Sequence, residues 1–511
     1  MTSNLLPLLA PLALIAAGLV ALRGPGLRPA ESLRWSGLAA PGALVVAAAS
    51  LLLLLAGPGS APLALARLDA VSATMLLLVA FVGWVVVRYA ATYLDGEARQ
   101  GPFTGWLCLT LAAALVLVQA GNLVVLVLAW VGAGLGLHRL LLFYPDRPAA
   151  LRAARKKAVF ARLGDGALAG AALLLGFGFS TADIAAIAEA ARAGQAPGIA
   201  AAAAALLALA ALLKSAQFPT HGWLTEVMET PTPVSALLHA GLINAGGFLL
   251  IRFADVMLAA PGVLAALVMI GGFTALFAGL VMLTQAAVKT ALAWSTIAQM
   301  GFMILQCGLA LFPLALLHIV AHSLYKAHAF LGSGGAVEKV AAIRRPGPVA
   351  VPGAGAVGRA FLAALVLYGV IGAAFGVEGT SPQAIALGAI LVLGVAYLLA
   401  QGFADAAPGP LTLRTSSAAA AAAVAYFALQ RAAEALTAGV LPPAPAPGAL
   451  EWVLIVSALL GFGLTAFAQA TFPLWAQHPA AAGLRVHLAN GLYVNALTAR
   501  LLRGWSARRA A

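Results

Sequence analysis

Apolar runs of about 20 residues, the length an α-helix needs to cross a bilayer, recur from one end of the chain to the other. They predict helices near 5–22, 41–57, 70–90, 103–118, 122–144 and 163–179, then a broken helix over 199–229. Further helices follow near 232–253, 261–283, 290–310, 312–332, 360–376, 383–403, 416–437 and 450–472. The pattern is that of an all-α polytopic membrane protein with about 15 crossings. The first run has the apolar core of a signal peptide, but no basic residue precedes it and Arg23 follows it. It therefore reads as an uncleaved first helix.

Polar positions inside this pattern are few, and one interruption organises the rest. Residues 199–213 are almost purely Ala and Leu, and Lys214-Ser215-Ala216-Gln217-Phe218-Pro219-Thr220-His221 follows them. Glu226, Glu229, Pro231, Pro233 and His239 come next, before the chain turns apolar again. A charge at membrane depth costs about 2.5 kcal/mol or more and usually marks an ion path. Pro219 breaks the helix just after Lys214, and broken helices occur at that depth only inside protein or beside water. The stretch predicts the centre of an ion-translocating protein.

Composition and charge agree. Hydrophobic residues are 63% of the 511 and charged residues only 9%, with a mean hydropathy of +1.01. The 54 glycines suit close helix packing in lipid. Cys108 and Cys307 lie in separate apolar runs, which argues against a disulfide framework or a zinc–cysteine site. The net charge of +13 reads as topology rather than nucleic-acid binding. With the N-terminus outside, Arg23, Arg28 and Arg34 fall inside, as do Arg147, Arg152, Arg155, Lys156, Lys157 and Arg162 in the loop 145–162. Lys339, Arg344, Arg345 and Arg359, and then Arg485, Arg500, Arg503, Arg508 and Arg509 of the tail, join them. Every basic cluster is then on the cytoplasmic side of a plasma (bacterial inner) membrane. The tail, about 478–511, is expected as an interfacial amphipathic helix or a docking segment for a partner.

Each ionisable candidate also has a plainer reading. Lys214 could snorkel from a helix end, although the break beside it favours proton exchange. Glu226 and Glu229 share one face of a helical turn; they are either a solvated pair or partners for Lys214 or Lys289. His239, one turn after Ser235, is a satisfied core histidine or a relay, since only His titrates near neutrality unperturbed. Lys289 opens a polar helix containing Ser295, Thr296 and Gln299 and is either interfacial or part of the relay. His318, His322 and Lys326, at i, i+4 and i+8, stack along one helix face with His328 and Tyr325 off that stripe. Such a row serves a water-assisted proton chain or plain interhelical hydrogen bonding. A lysine beside the HxxxH pair, with no carboxylate or cysteine at ligand spacing, argues against zinc. There is no P-loop, dinucleotide fingerprint, nucleophile elbow or CxxCH, so the chain reads as a transporter subunit rather than an enzyme, with no cofactor of its own.

Three stretches resemble the proton-translocating antiporter-like family of complex I membrane subunits and Mrp cation/proton antiporters. They are KSAQFPTHGWLTEVMETPTPVSALLHAG, TQAAVKTALAWSTIAQMGFM and LLHIVAHSLYKAHAFLGSG, together about residues 205–335. The resemblance implies two inverted five-helix repeats, here 103–253 and 261–403, each with a broken helix. The N-terminal helices would occupy 1–102 and the last helices and tail 404–511. It also places Lys214, His239, Lys289, His318, His322 and Lys326 on the family's proton path, with Glu226 or Glu229 as the charge switch for Lys214. His221, His328, Ser235 and Gln299 are secondary candidates.

The sequence departs from that family at three points. Val131 follows Trp130 where a glutamate is usual, Ala287 stands where an aspartate is usual, and 360–376 has no ionisable residue before Glu378. The segment WLTEVMETPTPVSALLHAGLINAGGFLLIR, with Thr225 where respiratory relatives carry proline, resembles the DabB-type inorganic-carbon transporter subunits, as do YKAHAFL and GLHRLLLFYPDRP. That resemblance implies a large peripheral cytoplasmic zinc partner of the DabA type, lipid contact, and H⁺ or Na⁺ flow driving CO₂ hydration to bicarbonate. The zinc would belong to the partner. The alternatives are a cation/proton antiporter, a proton-pumping respiratory subunit, or an anchor whose ion path is dead.

Overall fold

The computed structural model describes residues 5–23, 29–57, 65–335, 353–376, 380–403 and 409–507. Arg28, Lys339, Arg344, Arg345, Glu378, Arg508 and Arg509 lie outside them. The helices are α1 (Leu9–Leu22), α2 (Pro29–Ala56), α3 (Ala70–Tyr93), α4 (Gln100–Val118), α5 (Leu123–Leu141) and α6 (Pro148–Gly178). A short surface helix α7 (Ile184–Arg192) precedes the broken pair α8 (Ala200–Lys214) and α9 (Gly222–Glu226). Next come α10 (Thr232–Arg252), α11 (Pro261–Met282), α12 (Val288–Gly308) and α13 (Phe312–Leu331). Then follow α14 (Ala354–Phe375), α15 (Pro382–Gly402), α16 (Gly409–Thr437) and α17 (Ala449–Ala470), with α18 (Pro479–Ala489) and α19 (Val494–Ala507) forming the tail.

Local signals start these helices. Asp69 caps α3 by accepting from Ser72 N at 2.8 Å, and Asn122 caps α5 by accepting from Val125 N at 2.9 Å. Pro148 and Pro261 occupy first-turn positions, where the missing N–H costs nothing.

Eleven helices of the described residues are long and apolar enough to cross a membrane, fewer than the 15 runs read from the sequence. Leu6–Leu22, Ala200–Lys214 and Pro382–Ala396 are apolar but shorter. The alanine-rich α16, which carries Arg414, Arg431 and Glu434, is not among the eleven. The stretch 145–162, expected as a loop, is mostly the first turns of the 31-residue α6. An apolar window cannot see a helix that continues past its apolar part on the strength of Ala, Leu, Arg and Lys propensity alone. The consequence is large, because Lys156 and Lys157 are only 4% and 5% exposed.

Helix α10 is the hub. Of its most apolar window 94% is buried inside the protein, and it packs on α3, α8 and α13. It runs antiparallel to α3. Arg252 Nη1 at its end meets Asp69 at 2.6 Å, while Thr232 at its start bonds the Tyr93 hydroxyl at 3.4 Å. The rim around Arg252 matches its cations with carboxylates, Arg67 on Asp69 at 2.8 Å and Arg192 on Asp255 at 3.0 Å. Arg192 also donates to Gly439 O and Val440 O, which fastens α7 to the end of α16. The opposite rim carries the C-terminal tail. Gln285 Nε2 donates to Ala489 O at 3.4 Å and Asn495 Nδ2 to Thr225 Oγ1 at 3.1 Å, so the tail docks on the chain itself.

Small residues allow the tightest helix crossing, α11 on α12. A Cβ at Gly301 would stand 2.5 Å from Ala275 N, and one at Gly271 would stand 2.6 Å from Gly301 O. In lipid such backbone proximity replaces the hydrophobic effect as the source of helix association. Gly301→Val should therefore separate α11 from α12 and destabilise the detergent-purified protein by about 1–3 kcal/mol. A fluorescence melt checks this, with Gly279→Val, where nothing lies within 4 Å, as the neutral control.

Candidate ion path

The break between α8 and α9 interrupts the helical ladder, and the last turn of α8 and a neighbouring helix take up the freed backbone groups. Ser215 N reaches back to Ala211 O at 2.9 Å, and Gln217 N to Leu212 O at 3.1 Å. Phe218 N donates to the Thr274 hydroxyl of α11 at 3.2 Å, and Ser215 Oγ to Ile243 O of α10 at 3.2 Å. Gln217 Nε2 closes the turn on Ser215 O at 2.8 Å. Irregular backbone is thus held inside protein, as its depth demands.

Lys214 ends α8, and its Nζ lies 4.4 Å from the Trp130 ring centroid. The indole face supplies the cation with a stabilising quadrupole. Neither Glu226 nor Glu229 is its partner, and neither pairs with Lys289. Glu226 Oε1 binds Lys156 Nζ at 2.7 Å, and Glu229 pairs with Arg147 at 3.6 Å, half exposed. The expected ion pairs are not formed because the extended α6 carries Lys156 against Glu226, while Arg147, at the cap of α6, reaches Glu229. Lys157, from the same turn, donates to Gly134 O of α5 at 2.7 Å. Lys214 Nζ stands 3.9 Å from where a Gly134 side chain would begin. Asp165 is the carboxylate within electrostatic range of both lysines, and Arg162 holds it at 2.9 Å. Sequence reasoning passed over Asp165, although it is the one ionisable residue in 163–179.

A second cluster forms where α10, α12 and α13 meet. His239 is fully buried; its Nδ1 lies 3.0 Å from Thr296 Oγ1, and its ring stacks on Phe330 at 4.3 Å. Lys326, also fully buried, donates to Ser295 Oγ at 2.7 Å and Leu292 O at 3.3 Å. His322 lies within electrostatic range of His318, Lys326 and His239, and its ring is 6.0 Å from that of His318. Both His322 nitrogens, His318 Nε2 and His239 Nε2 have no protein partner. Buried polar atoms of this kind bond water, and such bonds can carry protons along the row.

The other candidates are dispersed. Lys289 Nζ donates to Thr232 Oγ1 at 3.1 Å on the tail rim, one turn before Leu292, whose carbonyl accepts from Lys326. Ser235 is buried near the Thr230 hydroxyl at 3.5 Å. Gln299 and His328 are exposed on the outer faces of their helices and meet neither cluster. His221 is fully buried, walled by Phe218, Phe277 and Trp294, with both ring nitrogens unpartnered. Among the described residues no three His, Cys, Asp or Glu side chains gather as a ligand set for a metal.

Known proteins share the fold and much of the sequence. A family model described as "NADH:quinone oxidoreductase/Mrp antiporter, TM" matches residues 120–345, and "NADH-Ubiquinone oxidoreductase (complex I), chain 5 N-terminus" matches 62–104. The Mrp complex from Dietzia sp. DQ12-45-1b contains a chain of the same fold. Its TM-score is 0.64 at 24% identity, over 98% of this chain and 60% of that one. The protein is an antiporter-like membrane subunit. More narrowly, it is 37% identical to the "Probable inorganic carbon transporter subunit DabB2" of Halothiobacillus neapolitanus, over 99% of this chain and 94% of that one. It is 45% identical to the "Probable inorganic carbon transporter subunit DabB" of Hydrogenovibrio crunogenus over 52% of each. The chain belongs to this family of inorganic carbon transporter subunits.

If the buried row carries protons, Lys326→Met should lower ion flux in proteoliposomes by on the order of a hundredfold, the scale of losing a positioned proton-transfer group. His328→Gln, on the exposed face, should leave flux near that of the parent. Equal effects of the two substitutions would remove Lys326 from the path.

Proposed function

We propose that this chain is the ion-translocating subunit of an energy-coupled inorganic-carbon accumulation complex in a bacterial inner membrane. Protons are the ion that best suits a row of histidines and lysines, because each group in it can gain and lose one. The tail rim would face the cytoplasm and the N-terminus the outside, as the basic residues of α6 and the tail favour. A peripheral zinc protein of the DabA type would sit at the cytoplasmic face and hydrate CO₂, and ion flow through this chain would drive that hydration towards bicarbonate. Lys214 with Lys157 and Asp165 would form one station and His239, His318, His322 and Lys326 the other.

The observation that carries the reading is the near full-length similarity to a carbon transporter subunit; the His318–His322–Lys326 row, with unpartnered imidazole nitrogens, supports it. Co-expression of this chain with a zinc protein of the DabA type should rescue a carbonic-anhydrase-deficient bacterium at ambient CO₂, and a protonophore should abolish the rescue. Lys214→Ala should abolish it too while the complex still assembles; persistence of rescue would make the chain an anchor. Absence of rescue with both proteins in the membrane would favour an antiporter or respiratory role for the same fold.

A further inference from the structure

We propose that the C-terminal tail is a strap that closes the tail-side mouth of the broken helix, with Asn495 as the positioning residue that seats it on the Lys156–Glu226 pair. The proposal rests on the ion-path reading above. Lys156 Nζ has two protein partners, Glu226 Oε1 at 2.7 Å and Asn495 Oδ1 at 3.4 Å. Asn495 turns its amide the other way, donating to Thr225 Oγ1 at 3.1 Å. One tail side chain therefore bridges α6 and α9 at the outlet of the break. The Lys156 side chain is 5% exposed and the Glu226 side chain 36%, so the pair marks the boundary between water and interior.

The fit is specific. A Cβ on Gly222 would run into Asn495 Oδ1, so only glycine lets the tail come so close to α9. Further along, Gly491, Leu492 and Tyr493 all have positive φ, at 56°, 51° and 62°. That tight bend lays the Gly491 backbone on Trp294, where a Cβ would sit 3.3 Å from the ring. Trp294 is also a wall of the His221 cage, at 5.0 Å between ring centroids. The strap thus touches both sides of the compartment that holds His221, four residues before Thr225 and within electrostatic range of Lys156.

The side-chain bonds that seat α19 are polar, while its Leu497 and Leu501 point outward, 56% and 77% exposed. Hydrogen bonds of this kind contribute modestly in net terms and exchange readily for water. A segment so held opens at low cost. Opening it would expose the Lys156–Glu226 pair and then His221 to the aqueous phase, and closing it would isolate Lys214 from that side.

Accessibility tests this without assuming any transport activity. The only native thiols, Cys108 and Cys307, are both buried. A His221→Cys thiol in the full-length chain, in inside-out membrane vesicles, should therefore report alone on a membrane-impermeant methanethiosulfonate reagent; Thr220→Cys is the second reporter position. Adding Asn495→Ala or Gly222→Ala should speed labelling roughly two- to tenfold, the factor supplied by one lost hydrogen bond. Unchanged labelling in both variants at normal membrane yield overturns the strap. A Thr225→Cys/Asn495→Cys pair, oxidised to a disulfide, should block ion flux reversibly on reduction. Full flux through the oxidised pair overturns the gating role. If the parent chain conducts no ion at all, the ion-path reading fails, and the labelling rates alone decide whether the strap closes the mouth.

Discussion

A backbone break inside an apolar bundle is the constraint on which the rest of this structure depends. In hydrocarbon an unsatisfied peptide group costs several kcal/mol, so residues 215–221 can be irregular only where other helices supply partners. Thr274 from α11 does so for the Phe218 N–H, and the Ile243 carbonyl from α10 takes the Ser215 hydroxyl, so α8, α10 and α11 converge on the break. Once they converge, α10 is enclosed on nearly every side. The polar residues it carries, His239 and Asn244, then have protein rather than lipid around them. Asn244 donates to Ser323 of α13 at 2.9 Å, so the hub is tied to the helix bearing the His–His–Lys row.

Much of this was legible in the chain. Pro219 after Lys214 marked the break, and the four-residue spacing of His318, His322 and Lys326 put them on one face. The positive-inside pattern placed the tail and the basic residues of α6 together, and they share a rim. What stayed hidden was carried by a helix longer than its apolar part. Lys156 and Lys157 look like loop residues because hydropathy falls off before the helix does, and this hides Lys156 as the partner of Glu226. Asp165 was visible as a lone charge in an apolar run, yet its meaning came only from its position opposite two lysines. The tail presented the reverse case. Its arginines and leucines suggest an interfacial helix, and nothing in that pattern foretells that one asparagine would bridge α6 and α9.

The substitution pattern around Lys214 acquires a physical sense from this arrangement. The family resemblance leads one to expect a carboxylate after Trp130, and Val131 stands there instead. Trp130 itself, 1% exposed, lies against the ammonium, so α5 contributes an aromatic face and a carbonyl, Gly134 O, rather than a charge. The negative charge nearest Lys157 and Lys214 comes from α6 through Asp165, already held by Arg162. A carboxylate shared between an arginine and two lysines has less to give each of them than a dedicated partner would. That leaves the lysines dependent on soft interactions, with an indole face and a carbonyl dipole, and soft interactions permit loss and recovery of a proton more easily than a tight buried ion pair does.

The two stations also differ in kind. The first is crowded with cations and bounded by an ion pair at the protein–water boundary. The second sets three histidines beside Lys326, whose ammonium nitrogen donates to a hydroxyl and a carbonyl rather than to a carboxylate. In the second half the helix that follows the row, α14, is unbroken between Ala354 and Phe375, and it brings no second irregular backbone to the bundle centre. Among the described residues the bundle thus has one side organised around a broken helix and one carrying unpartnered imidazole nitrogens, joined through α10.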